Sequence, residues 1–283
     1  MWVVLAYLFY FIAASASPLQ RRWLAKYKNQ ENTGQILFAF QVSTLVALLS
    51  IFLPLFQPLS FKGNLWILTG LAVLCGAFWA AYFVLSYTAQ KHVEAGVSSL
   101  VNNIYTPITI VLATIFLHEG LNRMQILGTA LLLVGMVIVS KKHRIGKFSF
   151  DKYFVLMALS GIFLGVCLIA ERALMKITWF TAGTMISWWS QCIFLGIATI
   201  LFHQKRIYTH KDIIITGSLR FLQSLSWVIL LFVVGNLSLV SSITTFKVVI
   251  VFIAAALFLW EREDMPRKIL GSLIAVVGLL CMK

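Results

Sequence analysis

Val97-Ser98-Ser99 returns as Val240-Ser241-Ser242, and the residues that follow return with it. Gly128 and Gly135 have counterparts in Gly271 and Gly278, each 143 residues further on, and Ile110/Ile253, Ala113/Ala256, Leu127/Leu270 and Val134/Val277 keep that register. The chain therefore reads as two copies of one unit. Each copy is almost wholly apolar. Two membrane-embedded copies facing one another form an architecture suited to moving a solute across a bilayer.

The composition agrees. Hydrophobic residues make up 60% of the 283 positions and charged ones 11%, against roughly 45–50% and 25% in soluble domains. Runs of about 20 apolar residues are long enough to cross a ~30 Å hydrocarbon layer as helices. Ten such runs stand at 2–19, 34–53, 64–88, 95–117, 121–140, 152–171, 181–202, 212–233, 237–259 and 266–282. The expected fold is an all-α membrane protein of ten transmembrane helices in two five-helix repeats, residues 1–140 and 152–283, joined by a basic loop at 141–151. An odd number of spans per copy forces the second copy to enter the membrane upside down. A pseudo-two-fold axis in the membrane plane then makes two nearly equivalent states available, one open to each side.

Net charge is +14, but its distribution points to topology and not to nucleic acid. Loops after spans 1, 3, 5, 7 and 9 hold sixteen Lys and Arg residues, and the remaining loops hold four, Lys62, Arg123, Arg172 and Lys176. By the positive-inside rule the odd-numbered loops face the cytoplasm and both termini lie outside. The expectation is a multi-pass protein of a cell membrane, such as a bacterial inner membrane, with the lipid bilayer and a small-molecule substrate as its partners. The four cysteines lie inside spans without close pairing, so no metal site is implied. No Gly-rich Lys-Ser/Thr loop is present to bind ATP, so no cofactor is expected and transport is secondary.

Polar residues inside the spans carry the functional reading. Lys247 sits about ten residues from either end of span 9. At the centre of a span Lys costs ~2.5–3.5 kcal/mol, so it must face a partner or a wet cavity. Thr244, three residues earlier, shares its face. In span 8, Thr216, Arg220, Gln223 and Trp227 make one stripe at 4-3-4 spacing. Trp79, Tyr82 and Ser86 repeat the idea in span 3, with Asn102, Asn103 and Tyr105 in span 4 and Tyr7 and Tyr10 in span 1. The bland alternative is that Arg220 and Lys247 are locked by Glu171 or by carbonyls. Against it, the other carboxylates lie at span ends or in loops, and Glu171 reads as standing near the end of span 6, beside Arg172 and Lys176. Two cations without an acid at depth favour an anionic or zwitterionic substrate.

The pattern Ser98-Ser99, Pro107, Glu119, Gly128, Gly135, repeated as Ser241-Ser242, Glu261, Gly271, Gly278, resembles the drug/metabolite transporter superfamily, in particular its ten-span EamA-type members. The resemblance covers essentially the whole chain. It implies a transporter in which spans 1, 3, 4, 6, 8 and 9 line a central cavity. This chain departs from the pattern in three ways: Glu261 is one residue short of the register of Glu119, Ile250 stands opposite Pro107, and the termini, usually described as cytoplasmic, are placed outside by the charge count.

Structural readings stand beside several of these residues. The four glycines recur every seven residues on one face of spans 5 and 10, which suits close packing within the chain or between two copies in a homodimer. Glu119 and Glu261 suit salt bridges or caps, and Pro107 a kink. Three functions follow in order. The first is a carrier of small anionic or zwitterionic metabolites, amino acids or organic acids above all, in which Lys247, Arg220, Trp227, Gln223, Thr244, Asn102, Asn103, Tyr105, Trp79, Tyr82 and Tyr10 bind substrate and Glu171 is the candidate for proton coupling. The second is a multidrug exporter of hydrophobic cations held on the Trp and Tyr faces. The third is a membrane enzyme acting on lipid, for which only His92/Glu94 and His118/Glu119 stand close enough together.

Overall fold

A computed structural model describes residues 2–27, 34–55, 57–61, 63–90, 92–93, 95–140, 152–203, 208–260 and 265–281. The connecting loop 141–151 and Glu31, Glu94 and Glu261 lie outside the described residues. Among the described residues every regular element is helical. The α-helices are α1 (Trp2–Tyr27), α2 (Gln35–Leu49), α3 (Leu65–Gln90), α4 (Ala95–Asn102), α5 (Tyr105–Leu112), α6 (Arg123–Ser140), α7 (Lys152–Leu201), α8 (His210–Val234), α9 (Leu237–Thr244), α10 (Lys247–Phe258) and α11 (Met265–Cys281). Among the described residues, six helical stretches are long and apolar enough to cross a membrane by length and composition, α9 and α10 counting together.

Three interruptions position the site. At 50 residues α7 is about 75 Å of helix at 1.5 Å per residue, far longer than a bilayer core. It is broken at Trp179, whose φ of 69° and ψ of 170° are not helical. A hydrogen bond from Ser187 to Glu171 ties the two legs side by side. The other interruptions divide α4 from α5 at Asn103-Ile104 and α9 from α10 at Thr245-Phe246. These two breaks meet: Asn103 Nδ2 donates to Thr245 Oγ1 at 2.9 Å, and the Thr106 and Thr245 hydroxyls are 2.9 Å apart. Polar side chains here meet the backbone disruption with bonds that an unbroken apolar helix would not need.

Close approach of helices explains three glycine positions. A Cβ on Gly161 would stand 2.5 Å from the Asn102 carbonyl oxygen, so the bare backbone lets the first leg of α7 reach the α4–α5 break. On α6 and α11, a Cβ on Gly135 would meet the Gly271 carbonyl oxygen at 2.6 Å, and one on Gly278 would meet that of Gly128 at 2.6 Å. The contact is reciprocal. The glycine faces expected to serve within the chain or between two copies thus meet each other inside one chain.

Candidate functional site

Polar and aromatic side chains from seven helices converge on one cavity with about 510 Å³ of atom-free space, counting its open side. Tyr10 comes from α1, Trp79 and Tyr82 from α3, Asn102 and Tyr105 from the two sides of the first break, Glu171 and Trp188 from the two legs of α7, Arg220, Gln223 and Trp227 from α8, and Lys247 from the first position of α10. Nine of the expected binding residues line it: Lys247, Arg220, Trp227, Gln223, Asn102, Tyr105, Trp79, Tyr82 and Tyr10. Thr244 and Asn103 do not. Helical spacing from Lys247 fails for Thr244 because the break at 245–246 intervenes, and its hydroxyl donates to the Val240 carbonyl at 2.7 Å. Asn103 sits at the other break, where its amide holds Thr245.

Among the described residues the charges of this cavity lack charged partners within 4.0 Å. Lys247 Nζ donates to Tyr10 Oη at 3.2 Å and to Tyr105 Oη at 3.5 Å. Arg220 lies over the Phe83 ring at 4.9 Å and the Trp79 ring at 5.4 Å. Such cation–π contacts contribute about 0.5–2 kcal/mol, well short of what an ion loses on leaving water. The described carboxylate–cation pairs within 4.0 Å all belong to Glu119, so neither Arg220 nor Lys247 is neutralised by direct contact among the described residues. Trp227 Nε1 and Gln223 Oε1 are buried without a protein partner among those residues. Unmet buried donors and acceptors on a cavity wall are what a polar ligand satisfies.

The third charge corrects the sequence reading. Glu171 is not at a span end: α7 runs on to Thr178, leaving the carboxylate almost two turns inside the helix, 1% exposed, on the wall of the cavity. Its hydrogen bond from the Ser187 hydroxyl is 2.9 Å long. Arg172 and Lys176, expected as its partners, pair instead with Glu119, at 2.9 Å and 2.8 Å. The Leu237 N–H also donates to Glu119 at 2.7 Å, and the Ser238 hydroxyl donates to its carbonyl. Burial pushes the Glu119 carboxyl up, but Lys176, the Leu237 N–H and Arg172 outweigh it and hold the group below the usual carboxylate range. Residues that the sequence did not single out complete the wall: Trp188, Ser224, Leu164, Leu168 and Val228. No helical spacing from the expected residues reaches Trp188 in the sequence; the Glu171–Ser187 bond between the two legs of α7 brings it to the same wall.

Comparison with known proteins follows the same line. Residues 1–141 match the model of the EamA-like transporter family. A protein of Streptantibioticus cattleyicolor, named a probable terminal-alkyne amino-acid exporter, is 24% identical over 214 residues, 73% of this chain and 70% of that protein. A crystal structure superposes with a TM-score of 0.72 at 15% identity, over 98% of this chain and 97% of the other, which shows a shared fold.

Proposed function

Because the chain belongs to the EamA-like transporter family, we propose that it is a secondary carrier that exports small zwitterionic metabolites of the amino-acid class. The observation that carries this reading is the cavity with two cations and one carboxylate, none in an ion pair with another. A carboxylate seated at Arg220 and Lys247 gains charge-assisted hydrogen bonds, which Arg can make in bidentate form. An ammonium group is left for Glu171, and the side chain for Trp79, Trp188 and Trp227. The amino-acid exporter among its relatives supports both substrate class and direction.

The mechanism proposed is alternating access by ten spans in two inverted repeats, residues 1–140 and 152–283. Three regularities support it. α7 is two legs joined at Trp179. The breaks α4–α5 and α9–α10 fall within one residue of each other in the 143-residue register. The Gly135–Gly271 and Gly278–Gly128 contacts are reciprocal, as a two-fold axis requires. The proposed setting is a cell membrane, and the charge count supports an orientation with both termini outside and the odd loops in the cytoplasm.

Thermal stabilisation of purified protein by a panel tests the substrate class, since a ligand shifts stability by RT ln(1 + [L]/Kd). The panel holds L-propargylglycine, L-norvaline, succinate and tetraphenylphosphonium, followed by flux of the responders in proteoliposomes. Response to the two amino acids is expected. Response to tetraphenylphosphonium alone replaces this reading with the cation exporter, which Glu171 and the aromatic wall would then serve. Silence across the amino acids and the dicarboxylate overturns the carrier of small acids.

A further inference from the structure

The aromatic wall under Arg220 does not stop at the cavity. On α3, Trp79, Phe83 and Tyr87 follow one another at four-residue spacing. Their rings form a ladder, with centroids 5.6 Å apart for Trp79–Phe83 and 5.5 Å for Phe83–Tyr87. Arg220 lies on the Trp79 and Phe83 faces. A second guanidinium, Arg21, lies on the Tyr87 face at 4.8 Å. The step from Phe83 to Tyr87 is about 6 Å of helix, so the two arginines are held on successive rungs of one ladder.

Arg21 is a costly residue to place here. It is 8% exposed, with Nε reaching the Ser17 carbonyl at a long 3.4 Å, and its Nη1 has no partner among the described residues. The Ser17 and Tyr87 hydroxyls beside it are likewise buried without partners. Beside this cluster stand Phe38 and Tyr208, 4.1 Å apart, with Phe38 6.1 Å from Tyr87. Gln35 donates to Tyr208 at 3.0 Å, and Thr216, one turn before Arg220, donates to Gln20 at 2.9 Å. Polar groups thus run from the cavity to a plug of rings at the end where α1 finishes and α2 starts. That is the end of the odd loops.

We propose that Arg21, with Ser17 and Tyr87, forms a second anion station, at which the substrate carboxylate stops between the odd-loop end and Arg220 once the Phe38–Tyr208 plug opens. The proposal rests on the carrier reading above, and adds to it a binding site outside the cavity. Stepping from one guanidinium to the next lets the carboxylate cross the constriction without shedding every ionic contact.

Two measurements test it. In proteoliposomes with L-propargylglycine as probe, Arg21→Gln and Arg21→Met are expected to lower exchange flux about tenfold, the low end of electrostatic steering effects. Arg21→Lys should recover at least half of wild-type flux, and the equilibrium Kd should stay within about twofold in all three, because the cavity is intact. Wild-type flux in Arg21→Met overturns the station. So does an equal loss in Arg21→Lys, which marks packing, or a parallel loss of Kd, which marks part of the cavity.

The second measurement needs no transport. Ser17→Cys is reacted with methanethiosulfonates carrying either a sulfonate or a trimethylammonium group, with reaction of the parent chain subtracted. The anionic-to-cationic rate ratio is expected to fall about tenfold when Arg21→Gln is added. An unchanged ratio, or no reaction with either reagent, overturns the station. Loss of wild-type flux with a ratio that still responds to Arg21 would break the carrier reading and leave the anion station standing.

Discussion

Two places in this molecule hold one carboxylate and two cations, and they are built in opposite ways. At one end, Glu119 is joined to Arg172 and Lys176 within 3 Å and capped by the Leu237 N–H. Every charge is used. In the cavity, Glu171, Arg220 and Lys247 share a wall without touching: the acid rests on a serine, the guanidinium on aromatic faces, and the ammonium on tyrosine hydroxyls. The same inventory makes a fastening when the ions are paired and a receptor when they are kept apart. Unpaired buried ions are a standing cost in stability, and a ligand that supplies the missing partners recovers it.

The strongest way to break this contrast is to remove a cavity cation. Arg220→Ala and Lys247→Ala are each expected to weaken amino-acid binding and flux by about 100-fold, the scale of a lost hydrogen bond to a charged group. Expression and membrane insertion should stay near wild type. Binding measured by thermal shift checks it. Unchanged binding in both variants would reduce the cavity cations to packing.

At the fastening the expectation is reversed. Glu119→Gln should lower stability by about 2 kcal/mol, below the 3–5 kcal/mol of a fully buried broken pair because Lys176 is 40% exposed. The Kd of the folded fraction should not move. Denaturation in detergent, read beside ligand titration, separates the two quantities.

Glu171→Gln then asks whether the third cavity charge belongs to the ligand. A zwitterion such as L-propargylglycine should bind about tenfold more weakly, while 4-pentynoate, which lacks the ammonium group, should bind as to wild type. Apo stability should not fall as it does at Glu119, since no ion pair is lost. Equal weakening of both ligands would move Glu171 from recognition to support.

Why one carboxylate was misread from sequence and the other was not follows from helix geometry. Glu119 stands after an apolar run and is a helix-end residue in the structure too. Glu171-Arg172 looked like the same kind of boundary because two adjacent charges ended the apolar count. Successive helical residues point about 100° apart, so Glu171 turns to the cavity while Arg172 reaches Glu119, and the helix continues to Thr178. Hydropathy sees the pair, not its divergence. The stripe on α8 was legible because α8 is unbroken across it. Thr244 and Asn103 were not, because spacing arguments carry only as far as the helix does, and both α4–α5 and α9–α10 break beside them. The helical class, by contrast, needed only composition.

The smallest expected effect sharpens the comparison from the side of pH. A carboxyl held below its ordinary value contributes stability that is fully present above that value, about 4.3 for Glu. The contribution is lost as pH falls through the lower folded value. Glu119 is such a group, with Lys176, the Leu237 N–H and Arg172 favouring its charged form against burial. Acidifying purified protein from pH 7 should therefore leave its fastening intact until pH drops below about 4.3, and then lower the melting temperature. The Glu119→Gln chain starts lower and should lose less over the same interval, because its amide cannot titrate. Parallel melting curves for the two chains across that range would mean that the knot at Glu119 is not the acid-sensitive fastening of this end.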